Sequence, residues 1–126
     1  MPREDILSTL FQLGAYREGG HFVYTSGTHG TVYINKDAIY PHTKLVSTMA
    51  RQIAEHYHRH DFEVVIGPAV GGVVLSQWLA YHLSGLTGRE VLSTYADKRA
   101  DGSFIVRRGY DKLVASKRVL LADDII

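Results

Sequence analysis

Cysteine is absent from these 126 residues. Disulfides and cysteine-bound zinc are therefore excluded, and the composition is compatible with the cytosol. Neither sign of charge dominates: 14 basic side chains stand against 13 acidic ones, for a net charge of +1. Such a balance gives no bulk pull towards nucleic acid, so any anion site must be local. No apolar run approaches the ~20 residues that a membrane helix needs. The opening Met1-Pro2-Arg3-Glu4-Asp5 is too polar for a signal peptide. What the chain does have is a 45% apolar fraction, enough to argue against disorder and for a buried core.

No repeat, low-complexity tract or long linker interrupts the sequence, so one domain over residues 1–126 is expected. Residues 2–13 carry Ile6, Leu7, Leu10, Phe11 and Leu13 on a helical face, and Gly14 can end it. Residues 21–24 and 31–34 are short, β-branched and aromatic, separated by Ser26-Gly27-Thr28-His29-Gly30, and predict a hairpin. After Pro41, the four-residue recurrence of Leu45, Met49, Ile53 and Tyr57 predicts an amphipathic helix with a histidine-rich end. Residues 62–66 form an apolar run without alternation, which suits a strand covered on both faces. Gly67-Pro68-Ala69-Val70-Gly71-Gly72 follows as a loop, then a helix over 73–83, with Gly85 and Gly88 as punctuation. Strands are predicted at 91–95, 104–106 and 119–122. Strand, helix, strand with apolar strands indicates an α/β domain around a mainly parallel sheet flanked by helices. The chain stops at Val119-Leu120-Leu121-Ala122-Asp123-Asp124-Ile125-Ile126, an apolar strand with nothing after it. Termini usually lie at the surface, so a domain incomplete at its C-terminus is expected.

Ligands of such sheets bind beyond the carboxyl ends of the strands. Two adjacent carboxylates there, Asp123 and Asp124, repel and are desolvated unless a cation or hydroxyl groups engage them. They read either as a grip on sugar hydroxyls or a metal ion, or as one solvated acid beside a helix N-cap. The glycines of residues 67–72 allow a backbone to approach a phosphate, although a plain turn explains them too, and neither the P-loop nor the dinucleotide pattern is present. Tyr95-Ala96-Asp97-Lys98-Arg99, with Arg107, Arg108 and Lys112 further on, places cations on a segment that could fold over a polyanion. A solvated face is the plainer alternative. His56, His58 and His60 read as a solvated helix end rather than a metal site. The eight tyrosines are scattered and form no nucleic-acid platform.

In this order the pieces resemble the type I phosphoribosyltransferases, and within them the orotate branch. Phe22-Val23-Tyr24-Thr25-Ser26-Gly27 leading to Val32-Tyr33-Ile34-Asn35 looks like the family's Ser-Gly segment and aromatic strand. Residues 65–72 are similar to its pyrophosphate loop, Tyr95 to Arg99 to the opening of its mobile catalytic loop, and residues 119–126 to the start of its phosphoribosyl pyrophosphate (PRPP) signature. The resemblance implies transfer of phosphoribosyl from PRPP to orotate with release of pyrophosphate, with Mg²⁺ carried by PRPP and no residue directly assigned to the metal. It implies that Lys98, Asp123 and Asp124 are catalytic. Ala69, Val70, Gly71, Gly72, Lys98, Arg99, Asp123 and Asp124 would hold PRPP and pyrophosphate, and Tyr33 and Ile34 the base. It also implies a type I phosphoribosyltransferase-like fold with the N-terminal helix and short hairpin as a hood, and a cytoplasmic homodimer without nucleic-acid or membrane partners. The sequence departs from the family pattern in having Thr25 where a lysine is common, Val70-Gly71 where an aromatic-lysine pair is common, and one lysine in the catalytic segment. Each change removes a cation. Two alternatives follow: transfer to another base, or a non-catalytic relative that senses PRPP or nucleotides.

Overall fold

The computed structural model describes residues 3–124. Pro2 of the expected first helix and the Ile125-Ile126 end of the signature lie outside the described residues. The chain forms two compact units, residues 1–46 and 47–126.

The first unit starts with α1 (Arg3–Gln12), continues through β1 (Tyr16–Val23) and β2 (His29–Ile34), and ends in the first turn of α2 (Thr43–Tyr57). β1 and β2 pair antiparallel, with a register shift between Glu18 and Phe22. β1 begins five residues before the expected strand. Its first part, Tyr16-Arg17-Glu18-Gly19-Gly20, is polar and mostly exposed, so it lacks the alternation that marks a half-buried strand. The Asn35 amide donates to the Ala15 carbonyl at 2.6 Å, and Ala15 is fully buried.

The second unit is built on a four-stranded sheet ordered β5-β4-β3-β6, from β3 (Val64–Pro68), β4 (Leu92–Lys98), β5 (Phe104–Ile105) and β6 (Val119–Leu121). β3 is parallel to β4 and β6, and β5 is antiparallel to β4. A mainly parallel sheet with flanking helices is thus what the sequence pattern indicated. β3 is the central strand because Val64, Val65 and Ile66 are β-branched and carry no group that needs water. Each is buried. α3 (Gly71–Thr87) joins β3 to β4 and buries Gly72, Ser76, Leu79, Ala80 and Leu83, one helical stripe. That stripe meets Ala54, Val65, Val91 and Ala122 in the core.

α3 outruns the expected helix at both ends. Gly85 lies inside it, and the helix closes at Gly88, whose left-handed backbone (φ 74°) suits a C-cap. Ser84 then ties the helix to the next strand, accepting from the Val91 amide at 2.8 Å while donating to the Ala80 carbonyl. β4 runs on to Lys98, three residues past the expected end, because Asp97 and Lys98 pair with Ile105 and Phe104. A short helix α4 (Tyr110–Val114), not expected from the sequence, precedes β6. β6 is less covered than its apolar sequence suggests: Leu121 is 70% exposed.

Two glycines of α3 differ in their surroundings. A methyl group at Gly85 meets nothing within 4 Å, whereas one at Gly72 lies 2.5 Å from Pro68 Cδ and 3.0 Å from the Ala122 carbonyl oxygen. Gly85→Ala should therefore raise stability by about 0.5–1 kcal/mol. Gly72→Ala should lower it by about 1–3 kcal/mol. Urea denaturation of the two variants checks both signs.

His82, stacked on Trp78 and 2.9 Å from the Ser47 hydroxyl through Nε2, has its pKa lowered by burial, with the Arg51 charge adding to the effect. The unfolded chain then binds its proton more readily, so stability falls as the pH drops below the ordinary histidine value of about 6.5 and recovers above it. The melting temperature of His82→Gln should fall less than that of the wild-type protein between pH 7 and pH 5.5, by calorimetry.

Candidate active site

At the carboxyl end of β3 the chain turns directly into α3, and the expected six-residue loop shrinks to Ala69 and Val70. Gly67 and Pro68 complete the strand, and Gly71 and Gly72 open the helix. The Ala69 amide donates to the Ala96 carbonyl of β4 at 2.8 Å, fastening the turn to the neighbouring strand. The Ala69–Val70 peptide is cis. Val70 turns its side chain outward, 82% exposed, while its carbonyl accepts from the Val73 amide at 3.1 Å.

Glycine is required here by contact rather than by backbone angle. A methyl group at Gly67 would run into the Gly72 carbonyl oxygen and lie 3.0 Å from that of Ala122. Strand, helix start and the end of β6 therefore touch backbone to backbone. The first amides of a helix have no partner within it and carry the positive end of its dipole.

The acidic pair arrives at the same place. The Ala122 amide donates to the Ile66 carbonyl at 2.9 Å, carrying the β3·β6 ladder one residue past β6. Asp123 and Asp124 follow, both half-buried, and the Asp124 amide donates to Asp123 Oδ1 at 2.8 Å. The Asp124 carboxylate lies over Gly71: a methyl group there would be 2.7 Å from Asp124 Cγ. The structure thus brings together two of the motifs singled out in the sequence, the glycine turn and the acidic pair.

The basic segment leaves from the other side of β3. In the order β4-β3-β6, parallel strands about 4.8 Å apart set a cationic strand end, a glycine turn and an acidic strand end side by side along one edge. Lys98 closes β4 and Arg99 opens the turn beyond it, both exposed. Among the described residues neither has a carboxylate partner. The residues that follow make a hairpin turn. The Arg99 amide donates to the Ser103 carbonyl at 2.7 Å, and the Asp101 carboxylate accepts from the Ser103 amide and hydroxyl at 2.9 and 2.6 Å. Those two Ser103 bonds hold the Asp101 carboxyl below the usual carboxylate range.

Asp97 and Arg108 were noted in the sequence only as members of a charge run. In the structure Arg108 Nη2 lies 3.5 Å from Asp97 Oδ1, and its guanidinium sits 5.6 Å from the centre of the Tyr95 ring. No periodicity links positions 97 and 108, so the pairing carries no local sequence signal. In the first unit, Tyr33 and Ile34 end β2, 39% and 45% exposed, and Tyr33 stacks on Phe22 at 5.4 Å. The sequence marks Phe22 only as part of the Ser-Gly segment, and the register, which sets Phe22 opposite Gly30 and Tyr33 opposite Arg17 across an irregularity, leaves no simple cross-strand signal for the stack. His58 and His60 fall in a short 3₁₀ turn whose His60 carbonyl accepts from Arg118.

No family model matches the sequence. Among curated proteins, the orotate phosphoribosyltransferase of Thermoanaerobacter sp. (strain X514) is 30% identical over 126 residues, which is all of this chain and 62% of that protein. That of Caldicellulosiruptor saccharolyticus is 35% identical over 107 residues, 85% of this chain and 52% of the relative. The chain therefore spans between half and two thirds of these relatives' length. The crystal structure of orotate phosphoribosyltransferase from Aeropyrum pernix superposes with a TM-score of 0.63 at 22% identity, over 94% of this chain and 64% of that one, a likeness of fold. Sequence similarity to orotate phosphoribosyltransferases thus runs from end to end of the chain, on a fold that it shares with them.

Proposed function

We propose that the protein transfers the phosphoribosyl group of PRPP to orotate and releases pyrophosphate, in pyrimidine nucleotide synthesis. The observation that carries this reading is the Asp124 carboxylate set over the first turn of α3, where the sequence placed a sugar grip and a phosphate turn. By this reading residues 1–126 serve one phosphoribosyltransferase-like domain.

The reaction breaks the bond between the anomeric carbon and pyrophosphate and forms one from that carbon to a ring nitrogen of the base. The departing oxygen keeps the bonding electrons, so the ribose becomes cationic as pyrophosphate leaves. Asp123 and Asp124 accept hydrogen bonds from the ribose hydroxyls and favour the developing positive charge. The amides of Val70, Gly71 and Gly72, with Ala69 shaping the turn, receive pyrophosphate oxygens. Lys98 and Arg99 offset the negative charge that grows on the leaving group, a contribution of a few kcal/mol for a well-aimed donor. Tyr33 and Ile34 pack on the base.

The donor set is suited to Mg²⁺ arriving with the diphosphate. Asp123 and Asp124 offer the hard oxygen ligands that the ion prefers. Among the described residues no group of three or more His, Asp or Glu side chains gathers into a cage of its own. When bound, the ion supplies charge neutralisation at the phosphate oxygens. No helix among the described residues is long and apolar enough to cross a membrane. A cytoplasmic homodimer, with PRPP and the base as ligands and no nucleic acid, is the setting that fits.

The test is pyrophosphate release from PRPP and Mg²⁺ with a panel of bases. Turnover with orotate alone supports the proposal, and preference for another base reassigns the acceptor. PRPP binding without turnover on any base would leave a sensor and overturn the enzyme reading. Asp124→Asn should lower kcat/KM by roughly 10²–10³-fold, the scale of removing one well-placed electrostatic group. His58→Ala should stay within about twofold, as expected for a residue away from the reacting atoms. Gly71→Ala should weaken PRPP binding by displacing Asp124, measurable by calorimetry; wild-type affinity in that variant would dissociate the turn from the ribose site.

A further inference from the structure

The β1–β2 hairpin carries a pair of stacked rings that its register alone does not bring together. Phe22 pairs with Gly30 and Tyr33 with Arg17, so the two aromatics do not face each other across the ladder. Between Glu18 and Phe22 the pairing is irregular: Gly19, Gly20 and His21 of β1 stand against Thr31 alone. Extra residues of this kind bend a strand and re-aim the side chains beside them. Here the Phe22 ring ends against Tyr33, with 5.4 Å between centroids and 23° between planes.

Glycines around the irregularity leave room for that arrangement. A methyl group at Gly20 would lie 2.9 Å from Phe22 Cζ and 3.1 Å from Cε2, so the ring fills the space a side chain there would take. Gly30 is likewise covered by the Tyr24 ring, whose hydroxyl donates to the Val32 carbonyl. That carbonyl belongs to the peptide joining Val32 to Tyr33. Tyr33 is thus held twice, at its backbone through Tyr24 and at its ring through Phe22.

No enclosing core imposes the stack. Residues 17–21 of β1 are exposed, as are Val23 and every residue of β2 except Gly30. Tyr33 itself stays 39% exposed although Phe22 covers one side of its ring. An aromatic side chain with a fixed plane and an open side is suited to stacking a flat ring.

We infer that Phe22 is a positioning residue for the acceptor ring. Set by the glycine irregularity against one side of Tyr33, it fixes the plane on which a flat heteroaromatic base lands. Phe22 acts through Tyr33 and not by touching the base. The inference rests on the phosphoribosyltransferase reading for the base, and on the hairpin geometry alone for the stack.

Steady-state kinetics of the wild-type protein, Phe22→Leu, Gly20→Ala, Tyr33→Leu and the Phe22→Leu/Tyr33→Leu double variant provide the test. Orotate and PRPP are varied in turn with Mg²⁺ present. Phe22→Leu and Gly20→Ala should each raise KM for orotate about three- to tenfold, the scale of one aromatic contact. KM for PRPP and kcat should stay within about twofold, because neither substitution touches a group assigned to PRPP. In the Tyr33→Leu background, Phe22→Leu should add less than about twofold, since its effect runs through a ring already removed. A parallel rise in both KM values would mark a general loss of structure, and additive effects a direct contact with the base. Either overturns the inference, as does wild-type KM for orotate in Phe22→Leu. Should Phe22→Leu fail to fold, Gly20→Ala carries the comparison, since it keeps both rings and displaces one.

Proton NMR of the Tyr33 ring, identified by the resonances lost in Tyr33→Leu, tests the stack without substrate. In the wild type these resonances should lie upfield of an isolated tyrosine and move downfield in Phe22→Leu. Unmoved resonances overturn the stack whatever the activity. A wild-type protein that turns over no base defeats the phosphoribosyltransferase reading and the role towards the base with it, while moved resonances would still uphold the stack.

Discussion

At the carboxyl edge of the second unit's sheet, three pieces of backbone lie so close that no side chain fits between them. Gly67 at the end of β3, Gly72 in the first turn of α3 and the carbonyl of Ala122 beyond β6 occupy one small volume. Because Gly72 has no side chain, α3 can begin with only two residues between it and the end of β3. Because Gly67 has none, β6 can run alongside and deliver its acidic end to the same level. A methyl group at either position would push apart the strand, the helix start or the segment after β6. The expected ribose grip and the expected phosphate turn are adjacent because this contact is close.

The same edge separates charge in a chain whose total is nearly neutral. β3 is flanked by β4 on one side and β6 on the other, so Lys98 and the Asp123-Asp124 pair leave the sheet on opposite sides of the glycine turn. A ligand with an anionic end and a hydroxyl-bearing end is matched by such an arrangement, whereas a uniform polyanion is not. The net charge of +1 conceals this, since cations and acids cancel in the sum while standing two strands apart. Specificity of this kind rests on where charges emerge from the sheet, and strand order decides that.

Much of this was legible in the sequence, for identifiable reasons. Val64-Val65-Ile66 announces a buried strand because three β-branched residues in a row leave no polar face. Leu45, Met49 and Ile53 announce α2 because their spacing matches the helical turn. The acidic pair was recognisable because carboxylates after an apolar strand need a reason to be there. Other features left no local trace. Tyr16 to Gly20 form a strand through backbone pairing alone, with exposed polar side chains that obey no period. Asp97 and Lys98 read as loop residues, and their strand character comes from Ile105 and Phe104 across the hairpin. The Arg108 contact with Asp97 spans eleven positions and depends on a left-handed residue that nothing in an arginine codon position suggests.

The two units also differ in how tightly fold and chemistry are bound together. In the second unit Lys98 and Arg99 stand exposed at the end of β4, but the glycine turn and the acidic pair assigned to PRPP sit on or beside Gly67, Gly72 and Ala122, where most substitutions disturb packing before they alter binding. Chemistry and stability are under one constraint there. In the first unit the residues assigned to the base, Tyr33 and Ile34, end an exposed strand whose pairing is made by backbone amides and carbonyls. A side chain on such a strand can change with little effect on the ladder that holds it, because the ladder does not use side chains. Substitutions at Tyr33 and Ile34 are therefore expected to cost little stability, whereas a side chain added at Gly67 or Gly72 disturbs three pieces of backbone at once. That asymmetry explains why the glycine turn left a mark in the sequence, while an exposed strand end carries little local constraint.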